Sequence, residues 1–151
     1  MKIAVTGHTS GLGKSFFDIL NSQGHEVLGF SKSNGYDLRD YSRVSTMIDL
    51  VRGFDFFINN AKPDYAQSQI LYRLAREWKS GTVLSIGSKA VVNYPGWTDT
   101  YLLEYLTQKI ALAHAHQMLE PVSNCNLILI HPNHITDTNR CASDILSQLE
   151  L

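Results

Sequence analysis

Short apolar segments alternate with helix-like segments along almost the whole chain of 151 residues. Consecutive parallel strands need a crossover connection, and a helix is the usual one. The alternation therefore predicts an α/β fold with a doubly wound, mostly parallel sheet of about six strands and helices on both faces. The predicted strands are 3–5, 26–30, 54–58, 82–86 and 127–130, with 36–38 as at most a stub of a further strand.

Between these strands, apolar residues recur at helical spacing. The predicted helices are one that carries Phe16, Phe17, Ile19 and Leu20 and stops at Gly24; one that begins at an Asp40 cap and stops at Gly53; one with Ile70, Leu71, Leu74 and Trp78; a long one from about Asp99 to Glu120, closed by Pro121; and a short one with Ile145, Leu146 and Leu149. There is no internal repeat, low-complexity run or linker, so residues 1–151 are expected to form one domain.

The charge balance excludes some classes of partner. Thirteen basic residues oppose 14 acidic ones, for a formal net charge of −1. A field built to attract nucleic acid or an anionic membrane would need a basic excess. Small molecules or proteins of similar size are therefore the expected partners.

The ends and cysteines of the chain predict a cytoplasmic protein. The apolar run from Met1 to Val5 turns polar at Thr6, too early for a signal peptide or a membrane span. Cys125 and Cys141 are not spaced as a CxxC or a zinc pair and are interpreted as reduced thiols. His114 and His116 face different ways on a helix, and no metal site is expected.

A glycine-containing turn, from Thr6 to Gly13, links the first strand to the first helix. Gly7 would allow the tight exit from the strand, and Gly11 would let the backbone approach a pyrophosphate. Gly13 would let the helix pack closely while its N-terminal amides face the anion. Glycines alone are weak evidence, because any tight turn favours them.

The spacing Gly-x-x-x-Gly-x-Gly resembles the cofactor-binding turn of the short-chain dehydrogenases/reductases (SDRs). Further SDR-like features follow in the family's order over about 130 positions. They are Asp37, similar to the aspartate beside the adenine; Asn59-Asn60-Ala61, similar to the NNAG element; Ser88, similar to the catalytic serine; Tyr105 and Lys109, which reproduce YxxxK; and Pro132, similar to the PG element.

The resemblance implies a Rossmann-like dinucleotide-binding domain that interconverts a small carbonyl compound and its alcohol. It implies Ser88, Tyr105 and Lys109 as catalytic residues. The implied cofactor-binding residues are Gly7, Thr9, Ser10, Gly11, Leu12, Gly13, Ser31, Lys32, Asp37, Leu38, Asn60, Ala61, Lys62, Tyr105, Lys109 and Pro132.

The chemistry explains why these residue types recur. Hydride transfer to a carbonyl carbon leaves the oxygen in need of a proton, and a free tyrosine, with a pKa of about 10, gives or takes one poorly near neutral pH. Lys109 follows Tyr105 by four residues on one helix face, and a nearby cation favours the phenolate. Ser88 would hold the substrate oxygen.

Each assignment has an alternative. Tyr101 lies closer to the family's usual distance from Ser88 but has no lysine four residues later, so Tyr105 is preferred. Ser85 competes with Ser88 but should point to the opposite face of the strand. Tyr105 and Lys109 could also be a packed ring and a solvated amine.

Cofactor preference depends on the end of the second strand. NAD-binding proteins of this fold place an acidic residue there, whereas a basic residue accommodates a 2′-phosphate. Residues 31–33 are Ser-Lys-Ser with no acid, which favours NADP(H), with NAD(H) possible if Lys32 is an ordinary surface lysine.

The sequence also departs from the SDR pattern. Lys62 and Asn133 replace the glycines of NNAG and PG, no helix lies between the strand 26–30 and the stub at 36–38, and no match exists for the catalytic asparagine. Only 19 residues follow Pro132, so the substrate side is expected to be truncated, or closed by another subunit of a homo-oligomer, dimer or tetramer. The alternative function is a dinucleotide-binding sensor or scaffold without catalysis.

Overall fold

The computed structural model describes residues 1–151 and contains one sheet of five parallel strands in the order β2-β1-β3-β4-β5. The fold class expected from the sequence is confirmed. The strands are β1 Lys2–Thr6, β2 Glu26–Phe30, β3 Phe56–Asn59, β4 Thr82–Ile86 and β5 Asn126–Ile130. The helices are α1 Gly11–Ser22, α2 Tyr41–Leu50, α3 Ala66–Glu77, α4 Thr100–Leu119 and α5 Thr138–Gln148, with short 3-10 turns at Lys32–Asn34 and Lys89–Val91.

Both faces of the sheet are buried, and neighbouring strand residues divide between them. Ala4, Phe57 and Val83 belong to a core that includes the apolar residues of α2, α3 and α4. The residues beside them in the strands, such as Ile58 and Leu84, pack with α1 and α5 on the other face. The molecule therefore has three layers, with the sheet in the middle.

Residues 36–38 form no strand, so the sheet has five strands where the sequence predicts about six. The chain leaves β2 through the 3-10 turn, which ends at Gly35 in a left-handed conformation with a φ of 90°. Leu38 then packs into the core and is only 4% exposed. Three residues after such a turn are too few to run alongside β2, and β2 is an edge strand.

Aspartates fix the starts of three helices by accepting hydrogen bonds from free backbone N–H groups. Asp40 accepts from Ser42 N at 2.9 Å, as the sequence predicts for α2. Asp99 caps α4 and Asp137 caps α5 in the same way. Because α4 also carries Tyr105 and Lys109, its defined start helps to fix where both side chains project.

The direction of the chain reverses between β1 and β3. The chain moves outward from β1 to β2 and then returns through α2 to β3 on the other side of β1. In doubly wound sheets, such a reversal opens a crevice beyond the carboxyl ends of the strands. None of the helices combines the length and apolar character needed to cross a membrane.

Candidate active site

A cavity of about 880 Å³ lies at the carboxyl ends of the strands, where the chain reverses. It is lined by residues that follow β1, β3, β4 and β5, and by one face of α4. Of the expected site residues, it brings together Gly7, Ser10, Leu12, Asn60, Ala61, Lys62, Ser88, Tyr105, Lys109 and Pro132.

The glycine turn holds α1 close to the end of β1. A Cβ atom on Gly13 would lie 2.2 Å from the carbonyl oxygen of Gly7, so only glycine permits this approach. Ser10 is the N-cap of α1, and its side chain makes no capping hydrogen bond. The first-turn N–H groups therefore have no side-chain partner at the cap, which suits them to bind an anion.

The buried Thr6 joins this turn to the loop after β3. Its Oγ1 accepts hydrogen bonds from the backbone N–H of Asn60 at 2.9 Å and of Ala61 at 3.0 Å. The Asn60 side chain donates to the Thr6 carbonyl at 3.1 Å. These bonds hold the two walls of the crevice at a fixed spacing.

The Lys109 ammonium is buried, with the residue 3% exposed, and is held by neutral acceptors. It donates to Gln67 Oε1 at 2.7 Å and to the Ile86 carbonyl oxygen at 2.5 Å. Burial lowers the pKa of Lys109 to about 7, and the positive charge of Lys62 lowers it further in the same direction. Near neutral pH, Lys109 therefore exchanges its proton readily.

Gln67 organises the polar centre beneath the cavity, and the sequence analysis missed it. Its Nε2 donates to the Asn59 carbonyl at 2.7 Å and to the Ile86 carbonyl at 3.2 Å, while its Oε1 accepts from Lys109. Asn59 returns a hydrogen bond to the Gln67 carbonyl at 2.8 Å. One signal was available, because Gln67 lies on the same helix face as Ile70 and Leu71, where a polar residue is unusual.

Tyr105 lies close to two lysines. The Nζ of Lys62 is 4.1 Å from its ring centroid, and the Nζ of Lys109 is 5.7 Å from it. The Trp97 ring packs nearby, with 6.4 Å between centroids. Tyr101 is 68% exposed and lines a smaller neighbouring cavity of about 240 Å³ instead.

Ser88 begins the 3-10 turn after β4, and its Oγ accepts a hydrogen bond from Ala90 N at 3.3 Å. His131 holds the Ser88 backbone, with its Nδ1 3.1 Å from Ser88 N and 2.9 Å from Ser88 O. Sequence reasoning did not identify this contact of His131, which precedes Pro132 in the chain. Ser85 is fully buried and lies 3.3 Å from Asn59 Nδ2, so it does not line the cavity.

The remaining cofactor-binding residues expected from the sequence lie outside the cavity lining: Thr9, Gly11, Gly13, Ser31, Lys32, Asp37 and Leu38. Ser31 caps the 3-10 turn after β2 together with Asn34. Asp37 pairs with Arg39 at 2.7 Å, and the hydrogen bonds from Arg39 hold the pKa of that carboxyl well below its usual range. Lys32 is exposed beside this pair.

No family model matches the chain, and no curated protein does. Many solved structures share its fold. A carbonyl reductase from Pseudomonas aeruginosa PAO1 has a TM-score of 0.75 and 18% identity, over 99% of this chain and 90% of that one. A short-chain dehydrogenase/reductase from Brucella ovis has a TM-score of 0.74 and 19% identity, over 95% and 90%. The 3-alpha-hydroxysteroid dehydrogenase from Pseudomonas sp. B-0831, solved with NADH, has a TM-score of 0.70 and 18% identity, over 99% and 88%.

The chain has the SDR fold. Two positions at which the sequence departs from the SDR motifs, Lys62 and Asn133, both line the cavity. Among the residues between Ser88 and Tyr105, Trp97 lines the cavity, whereas Tyr94 is exposed and Asp99 caps α4. The two departures therefore change the surface of the site and leave the fold intact.

Proposed function

We propose that this protein is an NADP(H)-dependent oxidoreductase of the SDR family that interconverts a small carbonyl compound and its alcohol. The observation that carries the proposal is that Ser88, Tyr105 and Lys109 line one cavity with the glycine turn. Proteins with this fold include a carbonyl reductase and a hydroxysteroid dehydrogenase, which supports the same reaction class.

The site fits a dinucleotide on its own geometry. The start of α1 offers N–H groups without a side-chain cap, and a Cβ on Gly11 would meet no atom within 4 Å, so the backbone there is open to a ligand. Gly7, Ser10 and Leu12 line the cavity on this side and would hold the pyrophosphate. When bound, the nicotinamide supplies or accepts the hydride at the carbonyl carbon.

Residues of the chain orient the substrate oxygen and transfer its proton. Tyr105 gives its phenolic proton to the oxygen during reduction and takes it back during oxidation. Lys62 and Lys109, at 4.1 Å and 5.7 Å from the ring centroid, favour the phenolate. Ser88 donates a hydrogen bond to the substrate oxygen and so orients it toward Tyr105.

We assign the preference for NADP(H) to Lys32, which is exposed at the end of β2 where no acidic residue occurs. NAD(H) is the alternative cofactor. We further infer a cytoplasmic location, which the two free thiols of Cys125 and Cys141 support.

We also propose a homo-oligomer that pairs through α3 and α4. Helix α4 is apolar on more than one side, since Leu106 and Leu112 are buried while Leu103 and Ile110 are exposed. A helix that is apolar all round is usually covered. Light scattering after gel filtration should show a dimer or tetramer that Ile110→Glu dissociates; a monomer at all concentrations would contradict this proposal.

The enzyme proposal is tested by cofactor binding followed by turnover. We expect NADPH to bind more tightly than NADH in fluorescence titrations, and absorbance at 340 nm to report its consumption with some members of a panel of aldehydes, ketones and quinones. Tyr105→Phe should lower kcat by at least about 10²-fold, because it removes the proton donor. The matched control, Tyr101→Phe, should change kcat less than about twofold.

Tight binding of NADPH without turnover, unchanged by Tyr105→Phe, would contradict catalysis and favour a dinucleotide-binding sensor. Failure to bind either cofactor would contradict both functions.

A further inference from the structure

The large cavity has an unbalanced charge. Three lysines line it, Lys62, Lys89 and Lys109, and none of its lining residues is Asp or Glu. The chain as a whole has a formal charge of −1, so this concentration of positive charge is local. A cleft lined by one sign of charge raises the local concentration of the opposite ion.

The positive charge of Lys109 and the partial positive charge at the start of α1 have other roles than binding a substrate anion. The Lys109 ammonium is committed to the Gln67 side chain and the Ile86 carbonyl. The start of α1, with the glycine turn, is where a pyrophosphate would bind. Lys62 has a different position, because its Nζ lies over the Tyr105 ring at 4.1 Å from the centroid.

Lys62 has no carboxylate partner in the structure. Asp64 and Glu104 line the smaller cavity that Lys62 also borders, yet neither lies within 4.0 Å of its ammonium. Partial burial lowers the pKa of Lys62 and removes part of the hydration of its charge, while the residue as a whole stays exposed. A substrate anion would compensate that loss.

We propose that Lys62 binds a carboxylate on the substrate, and that the physiological substrate is therefore a small oxo acid or its hydroxy acid. This inference rests on the proposed oxidoreductase function and specifies its substrate class. Of the lysines that line the cavity, Lys62 has its ammonium nearest the Tyr105 ring, and this single cation matches a single negative charge. Because the Lys62 ammonium lies 4.1 Å from the Tyr105 ring centroid, the carboxylate that it binds and the carbonyl that Tyr105 protonates would belong to the same small molecule. Trp97, Leu102 and Ile135 also line the cavity and would contact the apolar body between the two groups.

The test compares two substrates that differ by one negative charge and one methyl group, 3-formylbenzoate and methyl 3-formylbenzoate, each with NADPH. We expect the wild type to prefer the acid about tenfold or more in kcat/KM, mainly through a lower KM. Lys62→Gln should lower kcat/KM for the acid at least about tenfold more than for the ester and so remove the preference, since any effect of Lys62 on Tyr105 lowers both equally; Lys62→Arg should retain the preference. Lys79→Gln, which removes the same charge from an exposed loop outside the cavity, should change neither.

Three results would overturn the proposal. The first two are equal use of acid and ester by the wild type, and an equal loss for both substrates in Lys62→Gln, which would mean that Lys62 acts only on Tyr105. A weaker NADPH affinity in Lys62→Gln, with the preference intact, would assign Lys62 to the cofactor and also overturn it.

Calorimetry separates this proposal from the proposed function if no turnover is seen with either substrate. Tighter binding of 3-formylbenzoate than of its ester to the NADPH complex, abolished in Lys62→Gln, would support the anion site while the redox function fails. Equal binding would reject the anion site.

Discussion

The two ends of the expected cofactor site are built differently. At the reacting end, Lys109, Gln67 and Asn59 are buried, and hydrogen bonds between three different elements join them. At the adenine end, Asp37 and Arg39 bond to each other two residues apart on the surface. A buried network is costly to disturb, whereas exposed pairs contribute little. Substitutions should therefore have large effects at the first end and small ones at the second.

The largest effect is expected for Gln67→Leu. It leaves the Lys109 ammonium without its amide acceptor and the Asn59 carbonyl without its donor, both inside the protein. We expect a loss of about 3 kcal/mol in the free energy of unfolding by urea denaturation, and a lower kcat. Gln69→Leu, on the exposed side of the same helix, should cost less than about 0.5 kcal/mol. Equal losses of unfolding free energy in the two variants would contradict the expected difference between buried and exposed positions.

The next largest effect is a change of the unfolding free energy with pH that is caused by Lys109. Its folded pKa, about 7, lies below its usual value of 10.5, so the unfolded chain binds more protons between these values and stability rises with pH. From pH 6 to pH 9, the wild type should gain about 2 kcal/mol of unfolding free energy that Lys109→Met does not gain. Parallel stability curves for the two proteins would show that Lys109 keeps an ordinary pKa.

Gly87→Ala tests the contact that holds Ser88. A Cβ on Gly87 would lie 2.5 Å from His131 Nδ1, so the ring must move away from the Ser88 backbone. We expect a loss of about 1–2 kcal/mol in stability and a lower kcat. In a double-mutant cycle, His131→Ala should relieve most of the stability cost of Gly87→Ala. Additive costs would mean that the ring is not what the new methyl group meets.

The smallest effect is expected at the adenine end. Lys32→Ala should raise the Kd of NADPH about fivefold and leave that of NADH unchanged, because a single exposed cation contributes on the order of 1 kcal/mol. Added salt should reduce the difference. Lys2→Ala, at the amino ends of the strands and away from the crevice, is the matched control and should leave both Kd values unchanged. A fiftyfold effect of Lys32→Ala would mean that this end is as well organised as the other.

The sequence predicts the local parts of this structure well and the long-range contacts poorly. The five strands, the helices and the crevice follow from apolar periodicity and the glycine turn, which are local signals. The absence of a strand at 36–38 does not follow from these signals. An apolar residue such as Leu38 is expected both in a strand and in a loop that packs into the core, where it lies. Lys109 is 42 residues from Gln67, and Ser88 is 43 residues from His131, so spacing along the chain does not reveal these contacts.

The candidate site shows the same division. Placing Ser88, Tyr105 and Lys109 at one crevice needs only the end of a strand and one face of a helix. The direction in which Lys62 projects depends on side-chain packing between a loop and α4. The sequence therefore predicts Lys62 as a site residue without showing that it covers Tyr105.

The parallel order of the strands has a consequence for how the chain reaches this structure. No two strands are joined by a hairpin, and Ile3 must pair with Phe56, 53 residues away. Long loops must close before such contacts form, which slows folding and leaves apolar strands exposed meanwhile. On the ribosome, β1 and β2 can pair early. The second neighbour of β1 is β3, which is synthesised only after more than a third of the protein has been made. Recombinant yield should therefore depend on temperature and chaperone supply during synthesis.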